Sequence, residues 1–131
     1  MKTFMKIAFL IIPAVFYIWI EFSTDHGTLP LALGELYSFP GGDKVGHFVV
    51  MGTVTTLCLA SIRLLFPLTL RKRSTIITLL ILVAIFTAEE FSQRMIPSRT
   101  FSLMDLLASY AGTLSGATLA ILVTFKKQSN S

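Results

Sequence analysis

Three short polar blocks carry the side chains that could do chemistry, and each block lies at the edge of an apolar run. Such groups are costly in a lipid bilayer unless they pair with one another or bind a ligand. We therefore predict one ligand-binding site at the point where the apolar runs meet. The first block comprises Asp43, Lys44 and His47, and the second comprises Glu89, Glu90 and Gln93. The third comprises Arg99 and Asp105.

His47 has three interpretations from its residue type alone. It could be a hydrogen-bonded helix residue, a metal ligand, or a proton carrier that titrates near physiological pH. The adjacent Glu89 and Glu90 cannot both be ionised at low cost in a partly dry site, so they could donate or accept a proton. His47 and Glu90 are therefore the candidates for catalysis. Because no H-E-x-x-H or comparable spacing occurs, we assign neither a metal nor a cofactor.

Arg99 follows Pro97 in a tight polar segment, residues 94–101, which we call the elbow. Its planar guanidinium suits a carboxylate or a phosphate group. One interpretation is a salt bridge to Glu89, Glu90 or Asp105, and the other is an anion receptor for a lipid head group or a peptide terminus.

Two acidic residues also suit helix N-termini, because Asp43 is a candidate N-cap and Ser102 with Asp105 fits a capping box.

Composition indicates what kind of elements must position these side chains. The chain has 131 residues, of which 53% are hydrophobic and 14% charged, with a mean hydropathy of +0.75. This excludes an ordinary soluble domain, and nothing resembles a nucleic-acid-binding module. We predict an all-α polytopic membrane bundle in a single domain, 1–131. Its four transmembrane helices are expected at about 4–22, 45–66, 75–93 and 102–125, with an outer loop at 23–42.

Basic residues favour one orientation of this bundle. Eight of the 11 lysines and arginines fall on one side of the predicted spans, and the other three are Lys44, Arg94 and Arg99. The positive-inside rule then places both termini in the cytoplasm and the polar blocks at the outer face of an inner membrane. The eight are Lys2, Lys6, Arg63, Arg71, Lys72, Arg73, Lys126 and Lys127.

Small residues recur every fourth position in the last span. Ala108, Gly112, Gly116 and Ala120 form a stripe that contains the G-x-x-x-G pattern. Such a stripe allows another helix to approach closely, and we interpret it as packing within the chain before dimerisation. The oligomeric state itself stays open.

Over residues 40–120 the polar blocks resemble the VanZ-like membrane family, which is named after the teicoplanin-resistance accessory protein of enterococci. The matching pieces are Asp43-Lys44-x-x-His47-Phe48, Glu90-x-x-Gln93, Pro97-Ser98-Arg99, Ser102-x-x-Asp105, Gly112 and Gly116. Two positions depart from the family, because Ser98 replaces a common glycine and Ser109 an asparagine. The resemblance implies a four-span membrane fold and a role in envelope physiology or glycopeptide tolerance.

Three classes of function fit these residues. The leading interpretation is a non-enzymatic protein of the inner membrane whose outer pocket binds an envelope precursor or lipid head group, with Arg99 contacting the anion. An interfacial hydrolase or transferase would use His47 or Glu90 as general base and Arg99 to stabilise developing charge. A small transporter or an assembly subunit of a membrane complex is the third class, and the small-residue stripe would then face a partner.

Overall fold

The computed structural model describes residues 3–36 and 38–129, and those residues contain helices and no strand. Lys2, which contributes to the predicted orientation, lies outside the described residues. The helices are α1 (Thr3–Asp25), α2 (Leu31–Leu36), α3 (Gly42–Leu65), α4 (Leu68–Ser92) and α5 (Leu103–Ser129), and a 3₁₀ turn (Gln93–Met95) follows α4.

Four of these helices are long and apolar enough to cross a membrane, which confirms the predicted membrane-spanning class. The spans cover Ile7–Asp25, Gly42–Leu65, Leu68–Met95 and Leu103–Lys126. The third prediction began too late, because α4 starts at Leu68 and not at about Thr75. Pro67 supplies a fixed φ at the helix start, and the lysine and arginines that follow are good helix formers, so the basic cluster is helical.

The connection between the first two spans differs from the predicted loop at 23–42. Helix α1 continues to Asp25, and the six-residue helix α2 occupies Leu31–Leu36. Pro30 precedes α2, and its carbonyl oxygen accepts hydrogen bonds from the backbone of Leu33 and Gly34. An N-terminal proline therefore starts a short helix here where the sequence indicated only turns.

Asp43 does not cap α3, so that prediction is wrong. The N-cap is Gly41, which has φ 83° and ψ 5° and makes no side-chain cap hydrogen bond. This left-handed conformation is accessible to glycine at little cost, and the helix then begins at Gly42, one residue before the aspartate. Asp43 lies in the first turn, where a carboxylate is still favourable beside the helix N-terminus.

Helices α3 and α5 make the most extensive contact in the bundle. A β-carbon added at Gly116 would overlap the carbonyl oxygen of Gly52. The Thr56 hydroxyl lies 2.8 Å from that carbonyl oxygen and 3.2 Å from the one of Gly116, so it bridges the two helices. Ala120 at the same interface is fully buried. The small-residue stripe of α5 therefore packs against α3 within the chain, and it fixes the separation of the two helices that carry the polar blocks.

Helices α1 and α4 pack around this pair. The main apolar cluster joins Ile20 of α1, Met51 and Val54 of α3, and Phe86 of α4. Tyr17 adds a ring contact to Phe86, with centroids 5.4 Å apart. Large apolar side chains cover the outward surfaces of all four long helices, as expected for a bundle in contact with lipid.

Candidate functional site

The polar blocks of α3, α4 and α5 lie together at one end of the bundle, which we call the polar end. Lys44 Nζ lies 3.1 Å from Asp43 Oδ2 and 3.2 Å from Asp105 Oδ1, so the lysine joins α3 to α5. Gln93 donates a 2.6 Å hydrogen bond to Glu89 Oε1 across one turn of the α4 end. Antiparallel crossing of the spans brings these sequence-distant residues to the same level.

His47, Glu90 and Asp105 form a compact group, the His–carboxylate cluster, between α3, α4 and α5. His47 Nε2 lies 3.9 Å from Glu90 Oε2 and 3.8 Å from Asp105 Oδ2. The exposed fractions of the three residues are 9%, 1% and 6%. One potential ligand atom from each residue lies within 4.8 Å of the others, although the linear sequence contains no metal motif.

The carboxylate of Glu90 also holds the start of α5. The backbone N–H of Ser102 donates to Glu90 Oε1 at 2.9 Å, and the Ser102 hydroxyl accepts from the Asp105 N–H at 3.3 Å. Only half of the predicted capping box therefore forms. The carboxylate of Asp105 does not return to the Ser102 amide, and it is available to Lys44 and His47.

Ser109 lies within hydrogen-bonding distance of the His47 imidazole. Its hydroxyl donates to the Asp105 carbonyl oxygen at 3.0 Å and lies 3.2 Å from His47 Nδ1. A hydroxyl has one proton, so Ser109 accepts from the Nδ1–H of His47. Serine therefore supplies a hydrogen bond at the position where the VanZ-like pattern has asparagine.

Arg99 pairs with a residue that the sequence did not assign to the site. Its Nη1 donates to Asp25 Oδ1 at 3.0 Å, and the partner lies at the end of α1 and not in α4 or α5. The salt-bridge interpretation named Glu89, Glu90 or Asp105 as the partner, and the structure instead pairs Arg99 with Asp25 and so links α1 to the elbow. Asp25 could have been suspected only from its place at the end of the first apolar run.

A cavity of about 250 Å³ opens between α1, α3 and the elbow. His47, Asp105 and Arg99 share it, although they come from three different segments. Glu21, Gln93 and Asp43 add polar groups, whereas Ile20, Leu29 and Val50 add apolar surface. Lys44, Glu89 and Glu90 do not line the cavity, and they act through their contacts with residues that do.

Arg94 belongs to the same elbow but does not line the cavity. Its guanidinium carbon lies 4.9 Å from the ring centre of Phe91 and 4.3 Å from that of Phe101. The two rings are themselves stacked, with centres 5.0 Å apart. The two arginines of the elbow therefore have separate environments, one aromatic and one beside the cavity.

Comparison of the chain with protein-family models, curated proteins and solved structures gives no match. The resemblance to the VanZ-like family stays a prediction from the residues quoted above. Any functional conclusion has to come from the cavity and the cluster.

Proposed function

We propose that this protein is a multi-pass protein of the cytoplasmic membrane that binds the head of an anionic, lipid-linked envelope ligand in the cavity. The observation that carries the proposal is the position of Arg99. Its side chain lines the cavity and is only 16% exposed, and one terminal nitrogen pairs with Asp25. A guanidinium has five N–H donors, so several remain for a phosphate or a carboxylate, and the Glu21 carboxylate of the cavity wall is the second acidic group that acts on Arg99.

The lining of the cavity suits an amphiphilic ligand. Polar atoms of His47 and Gln93 lie beside the apolar side chains of Ile20, Leu29 and Val50. A lipid-linked molecule could therefore place its charged head near Arg99 while its chain stays in contact with apolar surface. Small-molecule sites commonly combine a mostly apolar wall with a few polar groups in this way.

The proposed orientation puts this cavity at the outer face of the membrane. Arg71, Lys72 and Arg73 lie in the first turns of α4, at the end of the bundle opposite the elbow. Arg63 is in the last turn of α3 at that same end. A basic end of this kind is expected on the cytoplasmic side, which supports an envelope ligand over a cytosolic one.

Head-group binding is tested by thermal unfolding of the purified chain in a neutral detergent with added lipid. A polyprenyl phosphate and phosphatidylglycerol are the anionic probes, and phosphatidylcholine is the comparison. The proposal expects the anionic probes to raise the midpoint and the Arg99→Ala variant to lose that increase. Arg94→Ala is the matched control, because Arg94 lies in the same elbow outside the cavity. Equal responses of the two variants, or no increase in the wild type, would overturn the proposal.

A role in glycopeptide tolerance is the cellular form of this proposal, and it comes from the VanZ-like resemblance. A strain that depends on the protein should become more susceptible to teicoplanin when it carries Arg99→Ala. The Arg94→Ala strain should stay at the wild-type level. If deletion of the whole protein leaves susceptibility unchanged, the antibiotic link fails while head-group binding can still hold.

An interfacial hydrolase or transferase is the second candidate function. The observation that favours it is that His47 lines the cavity with a carboxylate of Asp105 3.8 Å from its Nε2. Ser109 is a poor nucleophile here, because it is 2% exposed, it is absent from the cavity wall, and its proton is donated to a backbone carbonyl. Turnover of a polyprenyl phosphate ester that is lost in folded His47→Ala would support this candidate, and retention of turnover would exclude His47 as the base.

A further inference from the structure

We propose that the His–carboxylate cluster is a binding site for one divalent transition-metal ion of the Zn²⁺ or Mn²⁺ kind, ligated by His47, Glu90 and Asp105. Imidazole nitrogen and carboxylate oxygen are ligands that such ions accept. The three residues come from three different helices, so the site depends on the fold and has no linear motif.

The hydrogen bonds of His47 leave the correct nitrogen for a metal. Ser109 donates its single proton to the Asp105 carbonyl oxygen and accepts from His47 Nδ1 at 3.2 Å. The lone pair of a neutral imidazole is then on Nε2, the atom that faces both carboxylates. Metal-binding histidines are usually oriented by a hydrogen bond from the other ring nitrogen in this manner.

Each carboxylate likewise uses one oxygen for support and has the other near His47. Glu90 Oε1 accepts from the Ser102 amide at 2.9 Å, while Oε2 is buried without a hydrogen-bond partner. Asp105 Oδ1 lies 3.2 Å from Lys44 Nζ, while Oδ2 lies 3.8 Å from His47 Nε2. Hydrogen bonds thus hold His47 and Glu90, an ion pair with Lys44 holds Asp105, and one potential ligand atom of each lies within 4.8 Å of the others.

The spacing of these atoms suits an ion better than a shared proton. A direct hydrogen bond would need about 2.7–3.2 Å between the heavy atoms, and His47 Nε2 is 3.9 Å and 3.8 Å from the two oxygens. Two ligands of a tetrahedral ion lie roughly 3.4 Å apart when each bond is about 2.1 Å. Side-chain adjustments of a few tenths of an ångström would bring the His47 nitrogen and each carboxylate oxygen to that separation, and the two carboxylate oxygens, which lie within 4.8 Å of each other, would need a larger adjustment.

The small number of positive charges near Glu90 and Asp105 also supports a bound cation. Lys44 is the one lysine or arginine within 4 Å of the cluster among the described residues, and Asp43 shares it. Glu90, which is 1% exposed, has only His47 within ion-pair distance in the described chain. An unpaired buried carboxylate is costly, and a divalent cation would compensate both Glu90 and Asp105.

Metal binding is measured on the purified full chain in detergent, after removal of any polyhistidine tag. Titration with Zn²⁺ and with Mn²⁺ alone, by calorimetry and by competition with a chromophoric chelator, should give one ion per chain. Glu90→Gln and Asp105→Asn should each weaken binding by at least about tenfold. Glu89→Gln is the matched control and should weaken binding much less, because Glu89 is adjacent in sequence, lies outside the cluster and acts on Glu90 only through its charge.

The visible absorption of bound Co²⁺ distinguishes metal binding by the cluster from a purely structural role. Co²⁺ in the wild-type site should show visible absorption bands that shift in His47→Gln, and the metal-free unfolding midpoint reports whether each variant is folded. Absence of stoichiometric binding by the wild type overturns the proposal, as does equal weakening in Glu89→Gln and Glu90→Gln. No lipid is present in these measurements, so their outcome is independent of the proposed head-group function.

Discussion

The backbone N–H of Ser102 at the entrance to α5 donates a 2.9 Å hydrogen bond to Glu90 Oε1 near the end of α4. This bond crosses the elbow and joins the ends of two spans, and it occupies the amide that a capping box would have paired with Asp105. Because Glu90 is 1% exposed, no water replaces it readily. One oxygen of the Glu90 carboxylate thus accepts the Ser102 hydrogen bond, and the other lies near His47 without a hydrogen-bond partner.

Two replacements of Glu90 test how much its hydrogen bond to Ser102 contributes to stability. Glu90→Ala should lower the free energy of unfolding by about 1–3 kcal/mol, since it leaves the backbone N–H of the half-buried Ser102 without its acceptor. Glu90→Gln should cost less, because the amide oxygen can still accept. Equilibrium unfolding of the metal-free protein in detergent measures both, with Glu35→Ala on the exposed part of α2 as a control. Equal costs for Ala and Gln would contradict the role assigned to this hydrogen bond.

The sequence predicts the four spans and the meeting of the polar blocks because both depend on local information. Apolar length identifies a membrane helix, and antiparallel crossing of consecutive helices then brings alternate ends together. The small residues of α5 were recognisable for the same reason, since Gly112 and Gly116 repeat at helical spacing.

Partners across the bundle were not predictable, because they depend on helix rotation and on loop conformation. Arg99 meets Asp25 only because α1 reaches three residues beyond its predicted end at 22. Gly52 begins a repeat of small residues with Thr56 and Ala60, but the spacing alone does not show that Gly116 packs there. The Asp43 cap failed because a left-handed glycine at position 41 can start a helix with no side-chain acceptor.

Close packing of α3 on α5 makes their glycines sensitive to a single methyl group. Gly112→Ala would press a β-carbon into the Phe48 carbonyl oxygen, and Gly116→Ala would do the same at Gly52. Each substitution should destabilise the fold by about 1–3 kcal/mol, because backbone atoms cannot move aside as a side chain can. Thermal unfolding in detergent measures the loss. Gly34→Ala is the control, since nothing lies within 4 Å of its added methyl, and a similar loss there would contradict the packing argument.

The ion pair between Arg99 and Asp25 should couple the elbow to α1. Their side chains are 16% and 24% exposed, so the pair is better shielded than a surface pair. A double-mutant cycle with Arg99→Ala and Asp25→Ala should give a coupling free energy of about 1 kcal/mol, measured by equilibrium unfolding. The Lys44–Asp43 pair is the comparison and should couple more weakly, because its side chains are 44% and 55% exposed. Additive effects of Arg99→Ala and Asp25→Ala would show that the pair adds no stability.

The orientation of the bundle can be tested with the chain's single cysteine removed. In a Cys58→Ser background, Gly34→Cys marks the polar end, where nothing lies within 4 Å of an added β-carbon. Lys72→Cys marks the basic end, where Lys72 is exposed in the first turns of α4. An impermeant maleimide added to intact cells should label Gly34→Cys and should label Lys72→Cys only after lysis, because the positive-inside rule holds the basic end in the cytoplasm. The reverse pattern would place the cavity and Arg99 in the cytoplasm, where an envelope ligand on the outer leaflet could not reach them.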